Sequence, residues 1–198
     1  MKTLILYTTL YGATKACAEE LAGLLGEADL LAVSKKARPD LSAYDGVIVG
    51  SPVYMNALPK PMKQFLDAYE FDLLDKKLGI FLCCSNAKRF EKYLPYCFSF
   101  DLLEKAEVKE CFGGILEEDK LRFWHRMITK AIRKQASTPP PEAVILHENI
   151  KKFAALWKGE PYFPPEPEPA PASPAEEAGS SSPTEEGGSS SPTGGEGA

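Results

Sequence analysis

The chain has 198 residues, of which 44% are hydrophobic, and its formal net charge at pH 7 is −5. We expect no nucleic-acid partner. No apolar run reaches the length of a membrane span, and none of the five cysteines forms a CxxC pair, so we predict neither a spanning helix nor that redox motif.

The cysteines lie in or beside apolar segments, which predicts reduced, small hydrophobic side chains in a cytosolic protein. The adjacent Cys83 and Cys84 are interpreted as strand packing rather than redox chemistry. The N-terminus enters a strand at once, so we expect no signal peptide. The predicted compartment is therefore the cytoplasm.

The last 39 residues differ from the rest. Residues 160–198 contain eight Glu, nine Pro and no Lys or Arg, so we predict a disordered acidic tail. Residues 1–159 keep 23 basic and 20 acidic residues, a net charge of +3. They are long enough for one domain with a sizeable core.

The first predicted strand, Thr3–Tyr7, ends in a hydroxyl-rich turn that opens into a helix with Cys17, Leu21, Leu24 and Leu25 on one face. Strand, turn and helix N-terminus form a geometry that binds phosphate. GxxxxGK[ST] and GxGxxG are both absent, which favours a terminal monophosphate ester held by neutral donors. The alternative is an ordinary strand-to-helix turn with Thr caps. The candidate phosphate residues are Thr8, Thr9, Leu10, Tyr11, Gly12, Ala13 and Thr14.

The remaining pattern alternates strands and helices. Gly26 is a plausible helix C-cap. Further strands are predicted at residues 30–33, 46–50, 77–84 and 108–116. Helices are predicted from Pro61 and over residues 88–105 with an interruption at Pro95. A last helix is predicted after the prolines at 139–141 and ends at Gly159, with one face formed by Leu146, Ile150, Phe153, Ala154 and Trp157. This order predicts a parallel sheet with helices on both faces.

Ligands of such sheets bind beyond the C-terminal strand ends. Three loops leave those ends, at residues 8–14, 51–58 and 84–90, and all are richer in polar and aromatic residues than strands require. We therefore expect them to converge on one site.

The hydroxyl-rich turn, SPVYMN after the third strand and CSNA after the fourth resemble the phosphate loop and the two ring-flanking loops of flavodoxin-like FMN proteins. This resemblance implies bound FMN and a flavodoxin-like, doubly wound α/β fold with five parallel strands in the order 2-1-3-4-5. Residues 8–14 would hold the phosphate, and Tyr54 is the candidate for ring contact. The residues implied to flank the ring are Ser51, Pro52, Val53, Tyr54, Met55, Asn56, Cys84, Ser85, Asn86 and Ala87.

An inserted basic amphipathic helix is predicted after the fifth strand. Residues 120–134 carry six basic side chains and no acids, with an apolar face that includes Trp124. Such a helix can lie on an anionic membrane or bind an acidic ligand or partner, and the alternative is a packed helix with a solvated basic face. The candidate substrate or membrane residues are Arg122, Trp124, Arg126 and Lys130.

Gly113-Gly114-aliphatic followed by RFWHRMITKAIRK resembles the flavodoxin-type, menaquinone-dependent protoporphyrinogen oxidases. The resemblance implies oxidation of a tetrapyrrole, with electrons passing through FMN to a quinone, at the inner face of the cell membrane. Alternatives are an NAD(P)H-dependent FMN or quinone reductase, a flavodoxin electron carrier and an interaction module without FMN. We name no acid or base catalyst and predict no metal site, and oligomeric state is left open.

Overall fold

The structure, a computed structural model, describes residues 1–84, 86–114 and 144–164. Its strands are β1 (Thr3–Tyr7), β2 (Ala28–Ala32), β3 (Gly46–Pro52), β4 (Lys77–Cys83) and β5 (Ala106–Cys111). The helices in these residues are α1 (Ala13–Leu25), α2 (Lys60–Leu74), α3 (Phe90–Cys97), α4 (Phe100–Lys105) and α5 (His147–Lys158). All strand pairings are parallel, and the order β2-β1-β3-β4-β5 confirms the predicted topology.

Helices cover both faces of the sheet. Alternate residues of β1 point to opposite sides, so that Ile5 packs with residues of α1 and α5 while Leu6 packs with residues of α2, α3 and α4. β1 and β3 are buried along their whole length. This is why both strands are near-continuous apolar runs in the sequence.

Helix α5 is fixed to the sheet through Trp157, which is fully buried. Its Nε1 donates to Oγ1 of Thr3 at 3.2 Å, and Lys77 Nζ donates to its backbone oxygen at 2.8 Å. Gly46 and Gly79 leave room for the indole, because a Cβ at either position would lie 3.0 Å or less from an aromatic ring atom of α5. The predicted last helix and its end at Gly159, where φ is 78°, are confirmed.

Four strands differ from the prediction at their ends. β3 ends two residues later than expected, at Pro52, and β4 ends one residue earlier, at Cys83. β2 begins two residues earlier than expected and ends at Ala32, because backbone pairing of Thr3 with Ala28 sets its start. β2 is an edge strand with an exposed face, so its first residues need not be apolar, and no apolar pattern marks its start. β5 begins at Ala106 and ends at Cys111, since Gly113 turns at φ 70° and pairs with Ile145 instead. The expected end at residue 116 lies outside the described residues.

Two helix predictions also needed correction. Leu24 was expected on the buried face of α1 but is 38% exposed, because the buried stripe is centred on Thr14, Cys17, Ala18 and Leu21 and leaves Leu24 at its margin. The interruption expected at Pro95 falls later: α3 continues through Pro95 to Cys97, and α4 starts after its N-cap, Ser99. Within an eight-residue helix, Pro95 removes a single backbone donor.

Some predicted features lie beyond the described residues. These are the basic helix with Arg122, Trp124, Arg126 and Lys130, and the tail beyond residue 164. Among the helices that the structure describes, none combines the length and the apolar character required to cross a bilayer.

Candidate functional site

The three predicted loops leave the C-terminal ends of β1, β3 and β4, which are neighbours in the sheet. Parallel pairing of Tyr7 with Gly50 and of Pro52 with Cys83 brings the loop origins to the same edge. Loops from neighbouring parallel strands can therefore line one crevice. Ser85 is outside the described residues, and the other ring-flanking and phosphate candidates are all described.

The turn after β1 leaves the N-terminus of α1 without a side-chain cap among the residues described. Gly12 is its N-cap at φ 95°, and the first turn contains no acidic residue. A Cβ at Gly12 would meet no atom within 4 Å, so space lies beside the backbone there. The first amide groups of a helix have no intrahelical acceptors, and the helix dipole favours an anion at this end.

Thr9 adds a hydroxyl donor beside these amides. Its Oγ1 accepts a hydrogen bond from the Gly12 N–H at 2.9 Å, and the side chain is exposed. A hydroxyl that accepts through its lone pair still has its own proton to donate. Thr9 is thus oriented by the turn and keeps a donor for a ligand.

Thr8 has a different role, because its side chain is buried and faces the second loop. Its Oγ1 lies 3.1 Å from Oγ of Ser51, and its backbone N–H donates to Gly50 O at 3.1 Å. Ser51 is fully buried and donates in turn to Pro52 O. Thr8 therefore joins the first two loops and has no backbone donor left for a ligand.

Thr14 is also turned into the protein. It is 1% exposed, and its side chain hydrogen-bonds the thiol of Cys83 at the end of β4. A hydrogen bond with Cys17, followed by burial, raises the pKa of Cys83 well above its usual value. This thiol is inert in acid–base terms at neutral pH, and Thr14 locks α1 onto the sheet from within.

The loop after β3 forms a tight reversal at residues 54–57. Tyr54 and Ala57 exchange both backbone hydrogen bonds at 3.0 Å, while Met55 and Asn56 have φ values of 52° and 62°. Positive φ at both central residues defines a type I′ turn, which usually needs Gly or Asn. Met55 is therefore held in a strained conformation at an exposed tip, as is common in functional loops.

Tyr54 packs against the first loop. Its ring meets that of Tyr11 edge to face, with centroids 6.1 Å apart. Tyr54 is half-buried, and burial, followed by nearby Tyr11 and Cys83, raises its pKa to about 12. The phenol stays neutral across the physiological range and presents an aromatic surface between the two loops.

The loop after β4 starts at the buried Cys84 and continues into a short 3-10 turn, Ala87–Arg89. Arg89 N donates to Asn86 O at 3.0 Å, which fixes the turn. Lys88 and Arg89 are exposed, so this side of the site is basic.

Sequence reasoning missed the part of Cys83 and Cys111 in this region. Cys83 joins Thr14 to the end of β4, and Cys111 lies beside Cys84. The only sequence signal for this arrangement was that these cysteines lie in predicted strands. Among the described residues, no group of three or more His, Cys, Asp or Glu side chains is placed to hold a metal ion.

Comparison with known proteins adds four findings. The sequence model of the flavodoxin domain family matches residues 4–141. Protoporphyrinogen IX dehydrogenase (quinone) of Escherichia coli strain K12 is 26% identical over 146 residues, covering 69% of this chain and 81% of that protein.

Among solved structures, oxidised flavodoxin 2 from Bacillus cereus is similar with a TM-score of 0.53 and 22% identity, covering 80% of this chain and 99% of that one. A Fusobacterium nucleatum flavodoxin bound to flavin mononucleotide has a TM-score of 0.49 and 14% identity, covering 80% and 98%. The Bacillus cereus likeness shows the same fold.

Proposed function

The chain belongs to the flavodoxin domain family, and from this we propose that it is an FMN-dependent oxidoreductase whose flavin site is the C-terminal edge of the sheet. Bound FMN supplies the electron and hydride chemistry. The chain's own residues hold the cofactor, orient it and select the substrate.

The turn after β1 suits a terminal phosphate. The uncapped amides at the start of α1, the donor left on Thr9 and the space beside Gly12 together offer neutral donors and a favourable dipole. No acidic side chain lies in that first helical turn to repel a dianion. Thr8 and Thr14 hold the turn in place through Ser51 and Cys83.

The second and third loops suit a flat aromatic ring. Tyr54 supplies a neutral aromatic face whose position is set by Tyr11. Asn86 and Ala87, on the other loop, supply backbone groups near the end of β4. Residues 51–56 and 84–87 are the segments that would flank the ring.

For the substrate, we propose a tetrapyrrole of the protoporphyrinogen type, with a quinone as electron acceptor. The observation that carries this proposal is the 26% identity to protoporphyrinogen IX dehydrogenase (quinone), which extends over 81% of that protein. The exposed Lys88 and Arg89 support it, because cations favour the carboxylates of such a substrate. Carrier flavodoxins typically present an acidic docking face, whereas Lys88 and Arg89 are basic.

The test is anaerobic reduction of the FMN-loaded protein, followed by its absorption spectrum. Addition of protoporphyrinogen should bleach the flavin, and a quinone should then restore its colour. NADH and NADPH are added in separate samples. Bleaching by NAD(P)H alone would contradict the tetrapyrrole proposal and favour the reductase alternative, while no bleaching by either would favour an electron carrier.

A variant with Lys88→Glu and Arg89→Glu tests substrate charge. We expect KM for protoporphyrinogen to rise severalfold with little change in FMN affinity. Lys105→Glu with Lys158→Glu, on α4 and α5, is the matched control for overall charge, because both side chains are exposed and the net charge changes equally. An equal rise in KM for both variants would contradict a local role for Lys88 and Arg89.

We also propose that residues 120–134 contact an anionic membrane, which is where a quinone would be met. This rests on the charge and the apolar face in the sequence alone. Co-sedimentation with anionic liposomes should fall for Trp124→Ala with Arg126→Glu. Unchanged co-sedimentation would remove this proposal without affecting the flavin site.

A further inference from the structure

Two thiols lie side by side at the edge of the candidate site, and one of them begins the 84–87 segment proposed to flank the ring. Sγ of Cys84 is 3.4 Å from Sγ of Cys111. Both residues are buried, at 6% and 3% exposure, and both belong to the core on the α2 side of the sheet. A disulfide bond needs the two sulfurs to come about 1.4 Å closer.

The sheet register brings them together. Cys111 pairs with Leu82 across β4 and β5, and the next residue, Phe112, donates its N–H to Leu82 O at 2.9 Å. Cys84 lies two residues beyond Leu82 and therefore on the same face. The packed pair is Cys84 with Cys111, not the sequence neighbours Cys83 and Cys84, which point to opposite faces.

The two sulfurs differ in chemical character. Sγ of Cys111 is in hydrogen-bond contact with Sγ of Cys84, whose S–H is also within reach of Asn86 O at 3.6 Å, and it accepts from the Gly113 N–H at 3.4 Å. The contact with Cys84, followed by the Gly113 N–H, lowers the pKa of Cys111 to about 7. The same contact between the sulfurs, with burial, raises the pKa of Cys84. The contact between the two sulfurs thus favours the charged form of Cys111 over that of Cys84, and a thiolate beside a thiol is the pair that disulfide formation requires.

We propose that Cys84 and Cys111 are a peroxide-sensitive dithiol that closes to a disulfide at the start of the 84–87 loop. In the first step the Cys111 thiolate attacks a peroxide, forming an S–O bond and breaking the O–O bond, and hydroxide or alkoxide leaves. In the second step the Cys84 sulfur, losing its proton, attacks the sulfenic sulfur and water leaves. Overall the two thiols lose two electrons and the peroxide gains them.

Burial selects the oxidant. Neither sulfur is open to a bulky disulfide such as oxidised glutathione, whereas hydrogen peroxide is little larger than water. The disulfide would tie the start of the 84–87 loop to the end of β5. Since that loop is one of the three at the candidate site, oxidation should alter the site as well as the thiols.

Two other pairings compete with this one. Cys17 hydrogen-bonds Cys83 on the opposite face, and Cys97 is close enough to Cys84 to affect its pKa. Digestion with trypsin separates them, because Cys83 and Cys84 fall in residues 78–88, Cys111 in 110–120, Cys17 in 16–35 and Cys97 in 93–105.

The experiment treats the full chain with hydrogen peroxide, blocks remaining thiols with iodoacetamide and maps the unreduced peptides by mass spectrometry. We expect residues 78–88 joined to 110–120, with the loss of two hydrogen atoms and full reversal by dithiothreitol. The cross-link should persist in Cys83→Ala and Cys97→Ala and disappear in Cys84→Ala. Flavin fluorescence during an FMN titration gives the second readout, and it should differ between oxidised and reduced protein.

The proposal is overturned if peroxide yields only sulfinic or sulfonic acid at Cys111, if 78–88 is joined to 16–35 or 93–105 instead, or if all five thiols remain alkylatable. If Cys84→Ala does not fold, the cross-link in Cys83→Ala decides, because residues 78–88 then hold Cys84 as their one cysteine. These outcomes do not depend on the proposed substrate.

Discussion

Oγ1 of Thr8 and Oγ of Ser51 lie 3.1 Å apart in a buried hydrogen bond between the loops that follow β1 and β3. The two residues come directly after Tyr7 and Gly50, which pair in the sheet. This contact joins the turn proposed to bind phosphate to the loop that carries Tyr54. It links the stability of the fold to the shape of the site.

We therefore expect Thr8→Val and Ser51→Ala each to lower the free energy of unfolding by about 1–2 kcal/mol, since each leaves a buried partner with one fewer hydrogen bond. In the double variant the two costs should not add, and the coupling should be about 1 kcal/mol. Urea unfolding of the four proteins measures it. Strict additivity would show that the hydroxyls do not interact.

Thr9 is predicted to donate a hydrogen bond to the phosphate of FMN and to contact no other part of the cofactor. Thr9→Val should weaken FMN binding about tenfold through loss of one donor, and it should leave the affinity for riboflavin, which lacks the phosphate, unchanged. The matched control is Thr14→Val. The Thr14 hydroxyl is buried and hydrogen-bonds Cys83, so its loss should lower the free energy of unfolding before it affects FMN binding. Equal weakening of FMN and riboflavin by Thr9→Val would remove Thr9 from the phosphate site.

Glycine substitutions test the packing beneath α5. In Gly46→Ala the new Cβ would lie 2.7 Å from the Trp157 ring, so we expect a loss of about 1–3 kcal/mol in stability. Gly23→Ala is the control, because it lies exposed inside α1 with open space around it and should gain about 0.5–1 kcal/mol. Thermal unfolding measures both. A neutral Gly46→Ala would mean that Trp157 can move aside.

Tyr54 should contribute to the pH dependence of stability. Its pKa is raised from 10.0 to about 12 in the folded protein, so its contribution is fully present below pH 10 and is lost as the pH rises through 12. Tyr54→Phe should therefore flatten the fall in unfolding free energy between these two values. An unchanged slope in urea unfolding at several alkaline pH values would contradict the burial of this phenol.

Much of the fold could be predicted because its signals are local. The apolar run at Gly46–Gly50 indicates a strand buried on both faces, and the spacing of Ile150, Phe153 and Trp157 indicates the buried side of α5. The start of β2 could not be predicted, since an edge strand follows the backbone register of β1 rather than an apolar pattern.

The positions of the three loops could also be predicted, because they follow from strand order. The direction of individual side chains could not. Thr8 and Thr14 both have hydroxyls suited to a phosphate, but the sheet register turns one toward Ser51 and the other toward Cys83. The approach of Cys84 to Cys111 likewise depends on the pairing of Leu82 with Cys111, which no local pattern encodes.

We propose that the C-terminal edge of this sheet binds FMN. It is tested most directly by titrating the flavin-free protein into FMN and following the quenching of flavin fluorescence. We predict saturable binding with one FMN per chain, and weaker binding of riboflavin. Fluorescence that stays unchanged at all protein concentrations would contradict the flavin site and the oxidoreductase function built on it.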